Sequence, residues 1–127
     1  MNNEVDKVIE IPCNKYSFYR LWLSFLVPLH KFTPQVVQIA AAFLWHREEL
    51  SKVVLDEAML MKLLMSQEIK NKIVEECGVK KSTLMVIITK LKKCGFFKDG
   101  KINARFIPVL TNQDSFNFMI MFKIGEQ

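Results

Sequence analysis

The most constraining feature of the chain is a periodic run held between two glycines. From Ser82 to Cys94, the residues Leu84, Ile87, Ile88 and Leu91 recur at i, i+3, i+4 and i+7, the apolar stripe of an amphipathic helix. Gly95 follows at once, and Gly78 precedes the run by a few residues. Glycine just past the last periodic residue is the usual helix stop, because it takes up a left-handed conformation at little steric cost. The segment from about Glu68 to Cys77, introduced by Ser66 and closed by Gly78, reads as a preceding helix. After Gly95 come Phe96, Phe97 and then Lys98-Asp99-Gly100-Lys101. Asp-Gly between apolar flanks is a two-residue hairpin signal, so Ile102 to Ile107 reads as a returning strand that Pro108 stops.

Upstream, Thr33-Pro34 places a hydroxyl cap before a proline, a clean helix start. The pattern predicts a helix to Leu50, with Val36, Ile39, Ala40, Phe43 and Leu50 on one stripe. Asp56 to Met65 reads as a short helix whose methionines (Met59, Met61, Met65) suit a flexible core filler. Tyr16 to Val27 is apolar at nearly every position, which fits either a buried helix or an irregular packed segment, and Pro28 is expected to end it. Val5 to Ile11, stopped by Pro12, alternates loosely as a strand. Phe116, Phe118, Ile120, Phe122 and Ile124 alternate with Asn117, Met119, Met121 and Lys123, the clearest strand pattern in the chain, for which 5–11 is the natural antiparallel mate. With no internal repeat and no linker, the 127 residues read as a single domain, mainly α with a small β component.

Composition narrows the function. Half the residues are hydrophobic and 24% are charged, which excludes a disordered acidic tail. The apolar stretch from Tyr16 to Leu29 is broken by Arg20 and Pro28 and falls short of the roughly 20 residues of a membrane span. Glu4 and Asp6 precede it where a secretory signal would be basic, so the expectation is a soluble, intracellular protein with no membrane partner. Cys13, Cys77 and Cys94 are three, widely spaced and without a C-x-x-C pair, which points to reduced thiols. A zinc site from Cys13, His30 and His46 requires a fold that gathers scattered residues, so no metal and no cofactor are expected. Glu48-Glu49, Asp56-Glu57 and Glu75-Glu76 have no neighbouring histidine, and no glycine-rich phosphate loop exists, so no enzyme is expected either.

Charge is distributed unevenly. Between Lys70 and Arg105 there are ten basic and three acidic residues, a net +7; the remainder has eight basic and ten acidic, a net −2. The whole formal excess of +5 therefore sits on the two glycine-closed helices and the hairpin, where attraction to a polyanion would need it.

The order helix, Gly78-Val79 turn, helix, hairpin resembles the winged helix-turn-helix superfamily, carried by IKNKIVEECGVKKSTLMVIITKLKKCGFFK over 69–98 and DGKINARFIP after it. The likeness covers about residues 33–108, and the strands at 5–11 and 116–124 are additions to that core. It implies a shared core of Ile73, Cys77, Leu84 and Ile87, with Val79 filling the angle between the helices. From the Gly78 turn to Ile107-Pro108 the chain also resembles small winged-helix proteins encoded by crAss-like tailed phages of gut Bacteroides. The superfamily resemblance implies a DNA-binding second helix. Carried onto this chain, Lys80, Lys81, Ser82, Met85, Val86 and Thr89 face the groove side, with Lys90, Lys92 and Lys93 on phosphates and Lys98 and Lys101 on the wing tip. The expected partner is double-stranded DNA. The face departs from a base-reading surface, because it offers Val86 and Met85 and has no Arg, Asn or Gln. An apolar pair of this kind equally suits a protein interface, which gives the alternative of a homo-oligomer or a component of a phage particle's head–tail ring.

Overall fold

A helix buried on nearly every side organises the molecule. The computed structural model describes residues 7–30, 32–110 and 115–125, with side chains described outside 27–30. In chain order the helices are α1 (Lys15–His30), α2 (Pro34–Ser51), α3 (Glu57–Leu64), α4 (Gln67–Cys77) and α5 (Lys81–Lys93). A hairpin of β1 (Phe97–Lys98) and β2 (Lys101–Ile102) and a 3-10 turn over Ala104–Phe106 follow. The fold is thus mainly helical with one small antiparallel sheet among the described residues.

Helix α2 is the hub. Thr33 Oγ1 accepts from the Val36 N–H at 3.3 Å, and Pro34 sits in the first turn, where a missing donor costs nothing. Where one stripe was expected, Val36, Val37 and every residue from Ile39 to Leu44 are buried. The three alanines at 40–42 make this possible, since their short side chains let neighbouring helices approach on several sides. Helices α1, α3, α4 and α5 all pack on α2.

Tyr16 to Val27 resolves as helix. Asn14 caps α1, its Oδ1 accepting from the Ser17 N–H at 2.8 Å. Contrary to expectation Pro28 does not end α1, which continues to His30. A proline in the last turn forfeits a single donor, too little to unwind a helix held by Tyr19 and Leu23 in the core. The hydrophobic core begins with those residues and runs to Phe106.

The expected helix boundaries downstream hold closely. Asp56 caps α3 through the Met59 N–H, and Ser66 caps α4 through the Ile69 N–H. Met61 is buried, whereas Met59 is exposed.

The strands are shorter than the alternation suggested. The returning strand stops at Ile102 instead of Ile107. There the Asn103 side chain donates to the Gly95 carbonyl at 3.2 Å and accepts from the Arg105 N–H at 3.2 Å, turning the chain into the 3-10 segment. No strand forms over 116–124, nor over residues 7–11 of the expected N-terminal strand; Val5 and Asp6 lie outside the described residues. The two segments do not pair. Phe116 and Phe118 instead pack their rings on Phe18, Trp22 and Phe25 of α1, at centroid distances of 5.3–5.4 Å. Aromatic burial on a helix thus replaces the ladder that the period-two pattern pointed to.

Candidate nucleic-acid interface

The turn between α4 and α5 is built by Gly78. Its φ of 64° lies in the left-handed region, and the Val79 N–H donates back to the Val74 carbonyl at 3.2 Å. That bond reverses the chain within two residues and brings Val74 and Val79 against the core. Ile73, Leu84 and Ile87 are buried at the junction, and Cys77 and Val79 are half-buried beside them, as the helix-turn-helix pattern implies. Burial pushes the Cys77 thiol above its usual range, with the Glu76 carboxylate adding to the effect.

Leu84, Ile87, Ile88 and Leu91 bury one face of α5 against the rest of the molecule. Everything opposite is therefore forced outward. Ser82, Val86, Thr89 and Lys93 form the outer line, Met85 and Lys90 flank it, and all six are exposed. At the end of α5, the Phe96 N–H donates to the Leu91 carbonyl at 2.9 Å and the Gly95 N–H to the Lys92 carbonyl at 3.3 Å. Both Phe96 and Leu91 are fully buried, which fixes where the hairpin leaves the helix.

The hairpin packs on α5 through β1. Phe97 pairs with Ile102 on the buried side, while Lys98 pairs with Lys101. Asp99 and Gly100 both take positive φ (55° and 73°), the turn that suits a two-residue hairpin. Two exposed lysines directly opposite each other repel, and nothing in the fold requires that pairing. The hairpin has only two residues per strand, with no third strand among the described residues.

The structure places all eleven expected site residues on the surface: Lys80, Lys81, Ser82, Met85, Val86, Thr89, Lys90, Lys92, Lys93, Lys98 and Lys101. None of the seven lysines in this set forms an ion pair with a described residue. Elsewhere some bases are matched, as in Lys15–Glu48 at 3.0 Å, Arg47–Glu57 at 3.2 Å and Lys52–Glu49 at 2.6 Å, while others such as Arg20 and Lys62 also stand without an ion pair among the described residues. What sets the α5–hairpin unit apart is the density of its unpaired lysines, which gives it a positive field.

Two details modify the expected surface. The Thr89 hydroxyl donates to the Met85 carbonyl at 3.1 Å, so its proton is turned back onto the helix. Lys80 stands at the N-cap of α5 and makes no side-chain cap, which leaves the first amides of the helix to solvent or a ligand. Arg105, absent from the expected set, is also exposed just beyond the hairpin, 5.6 Å over the Phe106 ring. Its charge next to the wing was the signal for it in the sequence.

Cys13 is exposed, and His46 is buried with Nε2 2.9 Å from Glu76 Oε1; the His30 side chain lies outside the described part. No group of three or more potential ligands occurs among the described residues. No helix there is long and apolar enough to cross a membrane. Compared with protein families, with curated proteins and with solved structures, the chain matches none.

Proposed function

We propose that this chain is a winged-helix-type DNA-binding protein that holds duplex DNA mainly through the phosphate backbone, in a phage-type regulatory or replication role. One observation carries the reading: seven exposed lysines on α5, its N-cap and its hairpin, none in an ion pair with a described residue. Lys80 and Lys81 stand beside the uncapped amides of α5, a combination suited to a phosphate. Lys90, Lys92 and Lys93 supply charge at the other end of the helix, and Lys98 and Lys101 grip from the wing. Ser82 is left as the polar group free to meet a base edge, since Thr89 is engaged with its own helix. Contact is therefore largely indifferent to sequence, and the reading assigns the chain no catalysis. The phage attribution rests on the resemblance over the Gly78–Pro108 run alone.

The test is the salt dependence of binding to two duplexes of unrelated sequence. If each lysine neutralises one phosphate, the log–log slope approaches about −6 and is similar for both duplexes. Affinity at low salt no greater than that of an unrelated protein of charge +5 ends the proposal.

A second reading has its own support. Met85 is 49% and Val86 55% exposed in the middle of the outer face, an apolar pair where a base-reading surface carries polar groups. In that reading the same face binds protein in an assembly such as a phage head–tail ring. It requires an oligomer that persists at any salt concentration.

A further inference from the structure

The segment from Phe116 to Ile124 forms no regular secondary structure and makes no backbone hydrogen bond with any described residue. Phe116 and Phe118 are seated on α1, but beyond them the apolar residues stand in solvent: Ile120 is 52%, Phe122 83% and Ile124 96% exposed. On the opposite side, Met119 and Met121 are about as open. An alternating row of apolar residues on a backbone without hydrogen-bond partners is a template for another strand.

We propose that this segment is a dimerisation arm that pairs antiparallel with the same segment of a second copy, about a twofold axis through Ile120. The register follows from the sequence. Centred on Ile120, the antiparallel pair sets Phe118 against Phe122 and Phe116 against Ile124, apolar against apolar along the whole face. The other face then sets Met119 against Met121 and Asn117 against Lys123, with no like charges opposed. The segment is thus complementary to itself, the requirement of an isologous interface. Phe122 of the second copy comes to stand beside Phe118, next to the ring of Phe25, which is itself 43% exposed.

Paired in this way, each of the open apolar side chains Phe118 to Phe122 and Ile124 gains a cross-strand neighbour with its Cβ about 5 Å away, which covers part of its surface in both copies. The pairing also satisfies the backbone donors and acceptors that the segment leaves open within one chain. This inference is independent of DNA binding, because it concerns a segment outside the α5–hairpin unit.

Sedimentation equilibrium of the full chain without DNA, at high salt, reads the mass directly. A dimer is expected at micromolar concentrations, converted to monomer by Phe122→Asp with unchanged helical circular dichroism. A monomer at all concentrations overturns the proposal, as does a dimer that Phe122→Asp leaves intact. The register is read separately, in a chain with Cys13→Ser and Cys94→Ser. Ile120→Cys places two thiols across the axis within disulfide reach and yields a cross-linked dimer on oxidation, whereas Phe116→Cys yields far less. Equal cross-linking at both positions overturns the register.

Discussion

The indole Nε1–H of Trp22 donates to the carbonyl of Phe106 at 2.8 Å, across 84 residues of sequence. This bond ties α1 to the 3-10 turn that follows the hairpin. Phe106 itself is buried, its ring 5.4 Å from Phe96 and 5.9 Å from Phe32. The same indole supports Phe116 and Phe118, so one side chain joins the first helix, the 3-10 turn and the segment 116–124. Trp22→Phe keeps an aromatic ring but removes the donor. Urea unfolding should show a loss of about 1 kcal/mol, the usual net value of a hydrogen bond.

The lysines make a graded prediction. Replacing Lys81, Lys90, Lys93, Lys98 or Lys101 singly by Ala should weaken DNA binding and lower the salt slope by about 1 each. Lys15→Ala should leave the slope unchanged, since that ammonium is already paired with Glu48 at 3.0 Å on another helix. Anisotropy titrations at several salt concentrations measure both.

Val86→Asp separates DNA from protein as the partner of α5. The side chain is exposed, so the fold should survive the change. Under the DNA reading, affinity drops only modestly, by the repulsion of one carboxylate from nearby phosphates. Under the assembly reading the contacts made through α5 are lost and at most a dimer paired through 116–124 remains, which gel filtration at high salt would reveal.

Gly78→Ala tests the turn that sets α5. A Cβ there meets no atom within 4 Å, so any cost comes from the backbone at φ 64° and not from a clash. A loss of about 1–2 kcal/mol in stability is expected. Gly78→Asn should lose less, because Asn tolerates the left-handed region.

Tyr19 predicts an alkaline limit to stability. Burial raises its hydroxyl pKa well above the usual 10, and the Glu48 carboxylate adds to the shift. Below pH 10 folded and unfolded chains both keep the proton, and nothing is lost. Above that, the unfolded chain releases the proton while the folded one holds it, so stability declines as pH climbs. Tyr19→Phe should unfold less readily than the parent chain above pH 10, with the two converging near neutrality. Thermal melts across that range show whether the curves part.

Helix ends were legible in the sequence because their chemistry is local. Thr33-Pro34, Asp56, Ser66, Gly78 and Gly95 each act on amides or carbonyls within a turn of themselves, and all stand at helix boundaries in the structure. The exposed set on α5 was legible for the same reason: a single buried stripe decides where every other side chain points. Pairing was not. The alternation of 116–124 fixes which side chains share a face, but whether that face meets a strand or a helix depends on surfaces far away in the chain. Here Phe18, Trp22 and Phe25 of α1 took up Phe116 and Phe118.

By itself, then, the sequence determined the helices α2 to α5, the caps of α2, α3 and α4, the Asp99-Gly100 reversal and the concentration of positive charge between Lys70 and Arg105, since each depends on neighbours a few residues apart. Only the tertiary structure decided that α2 is enclosed on several sides, that α1 belongs to the core and passes Pro28, and that the hairpin shrinks to two residues per strand. It also decided that the lysines of α5 and the hairpin form no ion pair with a described residue. Those outcomes turn on contacts between segments distant in sequence, such as Trp22 with Phe106 or Asn103 with Gly95, and local preference carries no information about them.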